Sequence, residues 1–230
     1  MDVPATKAED AAGHRARLRD RLFAAGGEAL PDYELLEYLL ALAIPRRDTK
    51  PLAKALLREF GGLSGVMTAN AEELARVKGM GTTSVAAIKA AHGVALRLLK
   101  VESSVGPVLA NWQALLDYLR ADMAHSPVER VRVLHLDSRN RLIRDEVTGE
   151  GTIDEAPVYA REVIRRAIQL GSAAVILVHN HPSGDASPSR ADIEVTRTIA
   201  NGLKPLNIAL HDHIIIARGG HTSLRAQGLI

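Results

Sequence analysis

Two histidines, His179 and His181, stand two apart in the run AAVILVHNHPSGDASPSRAD, at the end of a continuously apolar, β-branched stretch. In a strand, alternate side chains leave the same face, so both imidazoles can reach one ion. Eight residues past His181 comes Ser189, and three further on comes Asp192, in the first turn of a helix predicted over 189–204. The intervening PSGDASP, rich in Pro and Gly, suits a loop that folds back over the strand end. Two imidazoles and one carboxylate, with a fourth position left to water, are the ligand set of a catalytic zinc site. Zinc lowers the pKa of its water from 15.7 to about 7 and polarises a carbonyl or phosphoryl oxygen, so the chemistry expected is hydrolysis. The same residues have a purely structural reading. Ser189-x-x-Asp192 resembles a helix capping box with Asp in place of the usual Glu or Gln, and histidines near a strand end can simply be hydrogen-bonded.

The elements that must position these groups are legible from periodicity and punctuation. AAVILVH reads as a strand buried on both faces. Before it, PVYAREVIRRAIQLG at 157–171 has helical period and ends at Gly171, a helix-stop glycine. VRVLHLD at 131–137 and RLIRDEVT at 141–148 flank Ser138-Arg139-Asn140 as a hairpin, WQALLDYLRADMA at 112–124 is an amphipathic helix, and HIIIA at 213–217 is a last strand. Strands alternating with helices predict a layered α/β domain with a mixed sheet. The first hundred residues read as all helix, with caps at Asp48, Asn70 and Thr82, Pro31 in a first turn and a stop at Gly61-Gly62. A long helix is expected from Thr82 to about Lys100. VESSVGPVLA at 101–110 then reads as a linker.

Composition narrows the setting. There is no cysteine among the 230 residues, which excludes disulfides and thiolate zinc sites and fits a reducing cytoplasm. No apolar run approaches the length of a bilayer span, and the N-terminus lacks the apolar core of a secretory signal, so neither a membrane nor export is expected. Net charge is +2, with 15 Lys/Arg against 12 Asp/Glu in residues 1–100 and 14 against 15 beyond. A difference this small is ordinary surface charge and gives a nucleic-acid partner only mild support.

The pattern His179-x-His181, seven residues, then Ser189-x-x-Asp192 resembles the JAMM (MPN/JAB) signature of zinc metalloproteases and deubiquitinating isopeptidases. The fuller HNHPSGD, with YAREVIRRAI before it and HDHIIIA after it, resembles the bacterial RadC family, and ELLEYLL, FGGL and VKGMG resemble that family's N-terminal region. The resemblance covers essentially the whole chain. It implies an α/β fold with a JAMM-type mixed sheet flanked by helices, in cytidine deaminase-like layering. A small all-α helix-hairpin-helix domain would precede it, giving domains at 1–100 and 111–230. It implies zinc on His179, His181 and Asp192, with Ser189 steadying a tetrahedral intermediate. It also implies a glutamate as general base. The candidates are Glu162, Glu150, Glu146 and Glu155. Glu162 is favoured because it sits in ARE where the family usually reads PRE, although Arg165 or Arg166 would satisfy the same carboxylate structurally. Asp212-His213 looks like outer support for a ligand imidazole, while His211 is a strand-end residue.

LARVKGMGTTSVAAIKAA at 74–91 resembles a helix-hairpin-helix motif. Gly79 and Gly81 allow a tight turn, and backbone amides at the next helix start can hold a DNA phosphate, with Lys78, and Lys89 behind it, adding charge. The plain alternative is an αα turn with a glycine stop. Three functions follow from the resemblance: a hydrolase of peptide or isopeptide bonds, a DNA-binding repair or recombination accessory protein with a structural or nucleolytic metal site, or a scaffold that keeps zinc for stability. The expected partners are a peptide or protein substrate and DNA.

Overall fold

A computed structural model describes residues 7–45, 47–104, 106–151 and 159–230, without the side chains of residues 7–12, Ser104 and Glu150. The chain divides into two compact units, Met1–Ala95 and Leu96–Ile230. The first contains α1 (Lys7–Ala25), α2 (Asp32–Ala43), α3 (Lys50–Glu59), α4 (Leu63–Thr68), α5 (Ala71–Arg76) and the start of α6 (Thr82–Ser104). Leu36, Leu40, Leu52, Leu56, Val66, Leu74 and Ile88 fill its core, following the helical spacing of the sequence.

Local chemistry explains the breaks between these helices. Asn70 closes a full capping box with Glu73 at the start of α5. Thr49, not Asp48, occupies the N-cap of α3, although the Asp48 carboxylate accepts from the Lys50 amide at 3.0 Å. Between α5 and α6, Gly79 adopts φ 103°, a left-handed backbone that favours glycine. The α6 helix runs past Lys100 to Ser104, so the first four residues of the expected linker are helical. Leu99 packs under the second core, and the Ser103 hydroxyl donates to the Lys100 carbonyl at 2.9 Å, which lets a buried serine sit inside a helix.

The second unit holds a five-stranded mixed sheet in the order β2-β1-β3-β4-β5. Its elements are α7 (Trp112–Met123), β1 (Arg130–Leu136), β2 (Leu142–Glu150), α8 (Ala160–Gln169), β3 (Ala174–Asn180), α9 (Arg190–Leu203), β4 (Ala209–Ala217) and β5 (Gly220–Ser223). The hairpin β1-β2 and the pairs β1-β3 and β4-β5 are antiparallel, while β3 and β4 are parallel and joined through α9. The short strand β5 is absent from the sequence expectations. Pleating divides the core. Leu134, Leu136, Ile176, Val178, Ile214 and Ile216 meet α7 on one face, whereas Val133, Val175, Leu177 and Leu210 meet α8 and α9 on the other. Every residue of β3 is buried, which accounts for its unbroken apolar text. Gly171 closes α8 at φ 63°, as its position in the sequence suggests. No helix among the described residues is long and apolar enough to cross a membrane.

Candidate metal centre

At the C-terminal end of β3 the α8/α9 face of the sheet changes from apolar to imidazole. His179 follows Val175 and Leu177 on that face and is 2% exposed. His181 lies just beyond the strand, tied back by its amide to the Ile216 carbonyl at 2.9 Å. Asp192 enters from the first turn of α9. Its Oδ1 lies 3.3 Å from His179 Nε2 and its Oδ2 3.6 Å from His181 Nε2, and one ligand atom from each of the three fits within a 4.8 Å cluster. Among the described residues this is the one group of three such side chains that could hold a metal.

The capping reading and the ligand reading describe the same carboxylate. Asp192 Oδ2 accepts from the Ser189 amide and hydroxyl, both at 2.7 Å, and Ser189 Oγ accepts from the Asp192 amide at 3.1 Å. The cap therefore aims the acid. With its proton on Asp192, Ser189 is the anchor of that carboxylate.

Hydrogen bonds fix which ring nitrogens are bare. The Thr196 hydroxyl donates to the Asp192 carbonyl, so its oxygen accepts from His213 Nδ1–H at 2.5 Å. His213 Nε2 then accepts from His179 Nδ1–H at 2.8 Å, leaving His179 Nε2 with an open lone pair. His181 Nδ1–H donates to the Asp185 carbonyl at 2.8 Å, which bares its Nε2 as well. These two nitrogens stand 2.8 Å apart beside a carboxylate. Two lone pairs at that distance repel unless a proton or a metal cation lies between them, and the donor set of two imidazole nitrogens and a carboxylate fits a divalent metal that accepts nitrogen and oxygen. A zinc ion is one that it suits.

Burial pushes His179 down to about 4, against the pull of Asp192 and with the push of His181. Burial likewise takes His213 down to about 3. His181 moves up, chiefly through its hydrogen bond with Asp192, with a smaller contribution from the Glu129 charge. Burial opposes the Asp192 charge, but the hydrogen bonds and positive potential of its partners outweigh it and hold the carboxyl well below the usual range. These shifts set a pH dependence. Neutral histidines whose folded pKa is depressed add stability that is present above about pH 6.5 and lost as pH falls towards 4. His135, buried against Ser172 at 3.0 Å, moves in the same direction. His125 and His211 are also pushed down by burial, whereas His181 works the other way, so five of these histidines oppose one. The metal-stripped protein is expected to lose melting temperature between pH 6.5 and 4, and a flat or rising curve there would contradict buried neutral imidazoles.

The remaining expected site residues divide. His213 holds His179 directly, whereas Asp212 touches neither imidazole. Adjacent strand positions face opposite ways, and Asp212 instead accepts from the His213 and Arg225 amides and the Ser223 hydroxyl, tying the end of β5 and the chain just after it to the first half of β4. His211 is the extra residue of a bulge in β4 and bonds Asn140 at 2.7 Å. The expected base Glu162 starts α8 at the correct end of the sheet, but its carboxylate is 43% exposed and pairs with Arg165 at 2.8 Å and Arg161 at 3.4 Å. Arg165 captures it from one turn along the helix. Glu146 is gripped by Arg166, the Glu150 side chain is not among those described, and Glu155 lies outside the described residues.

Sequence reasoning missed Glu129. Val131 pairs with His179, so the same antiparallel register carried two residues further sets Glu129 opposite His181. Asn180 clamps this segment: its Oδ1 accepts from the Arg130 amide and its Nδ2 donates to the Val128 carbonyl, each at 3.0 Å. Only the adjacency of β1 and β3 reveals this carboxylate.

A mixed sheet whose central strand ends in His-x-His, faced by a carboxylate at a helix start, defines an α/β domain of the JAB type. The profile described as RadC-like JAB domain matches residues 109–229, and that described as UPF0758 N-terminal matches residues 11–86. The chain is 49% identical over 213 residues to a UPF0758 protein of Rhodobacter capsulatus, covering 93% of this chain and all of that one. It is 47% identical over 217 residues to a UPF0758 protein of Ruegeria pomeroyi, covering 94% and 97%. The chain belongs to the RadC-like JAB family.

Proposed function

We propose that the second unit is a zinc-dependent hydrolase of JAMM type, cutting a peptide or isopeptide bond in the cytoplasm. The observation that carries this is the pair of bare Nε2 atoms converging beside Asp192, with their tautomers set by His213, Thr196 and the Asp185 carbonyl. His179, His181 and Asp192 would hold the ion. Zinc supplies a water acidified to about pKa 7 and an electrophile for the substrate oxygen. Glu129, opposite His181, accepts the proton of the attacking water and returns it to the departing amine. Ser189 keeps Asp192 aimed, and its hydroxyl, turned from that carboxylate, can donate a hydrogen bond to a developing oxyanion.

Metal analysis of the purified chain, followed by cleavage assays on a model isopeptide and on DNA, tests this reading. About one zinc per chain and amide cleavage abolished by chelator and restored by zinc are expected. Zinc binding without turnover on either substrate would favour a scaffold, and cleavage of DNA alone would favour a nuclease.

A second reading concerns the first unit, where we infer a contact with the DNA backbone at the α5-α6 turn. Lys78 is exposed there beside Gly79, and the Arg47 guanidinium lies against the turn, with Nη1 donating to the Gly79 carbonyl at 3.4 Å. The Gly81 amide is taken by Ser84 Oγ at 2.9 Å, and Lys89 binds the Ala69 carbonyl at 2.8 Å, so Lys78 and Arg47 are the cations at hand. Retention of the full chain on duplex DNA is expected at low salt, with log affinity falling by about 0.9 per phosphate neutralised for each log unit of salt. Lys78→Glu and Arg47→Glu should each shallow that slope by about one contact. No retention at low salt would remove the contact.

A further inference from the structure

Away from the metal centre, a cavity of about 300 Å³ is lined by Arg197, Ala200, Asn201, Leu210, Arg225 and Ile230. It lies between α9, the start of β4 and the C-terminal segment. Its size falls at the lower bound of small-molecule sites, and its walls combine apolar carbon with a few polar groups, as such sites do. Both guanidiniums are fixed by backbone carbonyls. Arg197 Nε and Nη2 donate to the Leu229 carbonyl at 3.4 and 3.3 Å, and Arg225 donates through Nη2 to the Leu210 carbonyl at 2.7 Å and through Nε to the His211 carbonyl. Carbonyl anchors hold the side chains in place without neutralising them, and neither arginine forms an ion pair among the described residues. The neighbouring His211 registers the resulting field, its pKa lowered by burial and then by Arg225.

We propose that this cavity binds a small organic oxyanion, a carboxylate or phosphate head on an apolar stem. The planar forks of Arg197 and Arg225, with the Asn201 amide, take the head. Leu210, Ala200 and Ile230 take the stem. No metal takes part, so the inference stands or falls apart from the hydrolase reading.

Amide chemical shifts of the full-length, chelator-treated protein, titrated with sodium hexanoate, inorganic phosphate and sodium acetate, test it. Hexanoate and phosphate are expected to perturb the same amides, around Arg197, Asn201, Leu210 and Arg225, and to compete. Hexanoate should bind at least about tenfold tighter than acetate, since each buried methylene contributes about 0.8 kcal/mol. Arg197→Gln, at an exposed position, and Arg225→Gln, checked by melting temperature, should each weaken hexanoate binding about tenfold. Perturbations scattered over the surface, equal binding of acetate and hexanoate, or unchanged affinity in a folded Arg197→Gln protein would overturn the site.

Discussion

Asp192→Asn protein is expected to fold normally and to bind zinc at least about 100-fold more weakly than the parent. The factor follows from position: partners that merely orient a metal-binding imidazole are worth about 10–100-fold in affinity, and a direct ligand should exceed them. Asn serves better than Ala because Asp192 does two jobs. Its Oδ2 caps α9 through Ser189, while the charge and Oδ1 face His179. An amide oxygen can still accept from the Ser189 amide, so the cap survives and the anionic ligand goes. Asp192→Ala removes both, adding the loss of the N3 half of the capping box to the loss of metal. His179→Ala should match Asp192→Asn in metal affinity. His213→Ala, acting one bond further out through His179 Nδ1, should fall in the 10–100-fold range. Calorimetric zinc titration against a competing chelator, alongside thermal melts, separates these outcomes. If Asp192→Asn and His179→Ala both retain parental affinity while folded, the metal is held elsewhere or not at all.

The contrast between His179 and Glu129 shows what a sequence can disclose about such a site. The His-x-His pair and Ser189-x-x-Asp192 are readable because both relations are local. Strand alternation puts the imidazoles on one face, and helix capping puts the acid at the first turn of α9. Even the apparent rivalry between cap and ligand dissolves once the two carboxylate oxygens are counted separately. Glu129 is 50 residues before His179, and its relevance depends on β1 choosing β3 as a neighbour. That choice is made by long-range pairing and leaves no trace in spacing. Glu162 is the opposite case: its backbone lies at the end of the sheet that carries the histidines, but a charged partner three residues along α8 decides where the carboxylate points. Asp212 and His213 were legible as a pair and not as individuals, since adjacent strand residues face opposite layers. The fold was more readable than the site's outer parts because its hydrophobic periodicities are repeated over many residues. Its misses are weak signals: β5 reads GHTS, with little β character, and Val101–Ser104 is helical despite two serines because Leu99 is anchored in the core.

Glu129→Gln separates catalysis from metal binding. The amide is nearly isosteric and keeps a polar group opposite His181, but it cannot accept a proton. Zinc affinity should stay within a few fold of the parent, because Glu129 is not among the three side chains that converge. Turnover on any amide substrate the parent cleaves should fall by about 10²–10⁴, the usual contribution of a positioned general base. The pH profile sharpens the assignment: the acidic limb of kcat/KM, which reports the free base, should be lost or displaced in the variant. Glu162→Gln provides the matched control. Its carboxylate is exposed and committed to Arg165, so its loss should leave turnover within about twofold and cost little stability. Asn180→Ala adds a positional test, since the Asn180 side chain clamps Val128–Arg130. Loosening that clamp should lower kcat while leaving zinc in place. If Glu162→Gln abolishes turnover and Glu129→Gln does not, the base enters from α8, and the side chain must leave Arg165 when substrate binds.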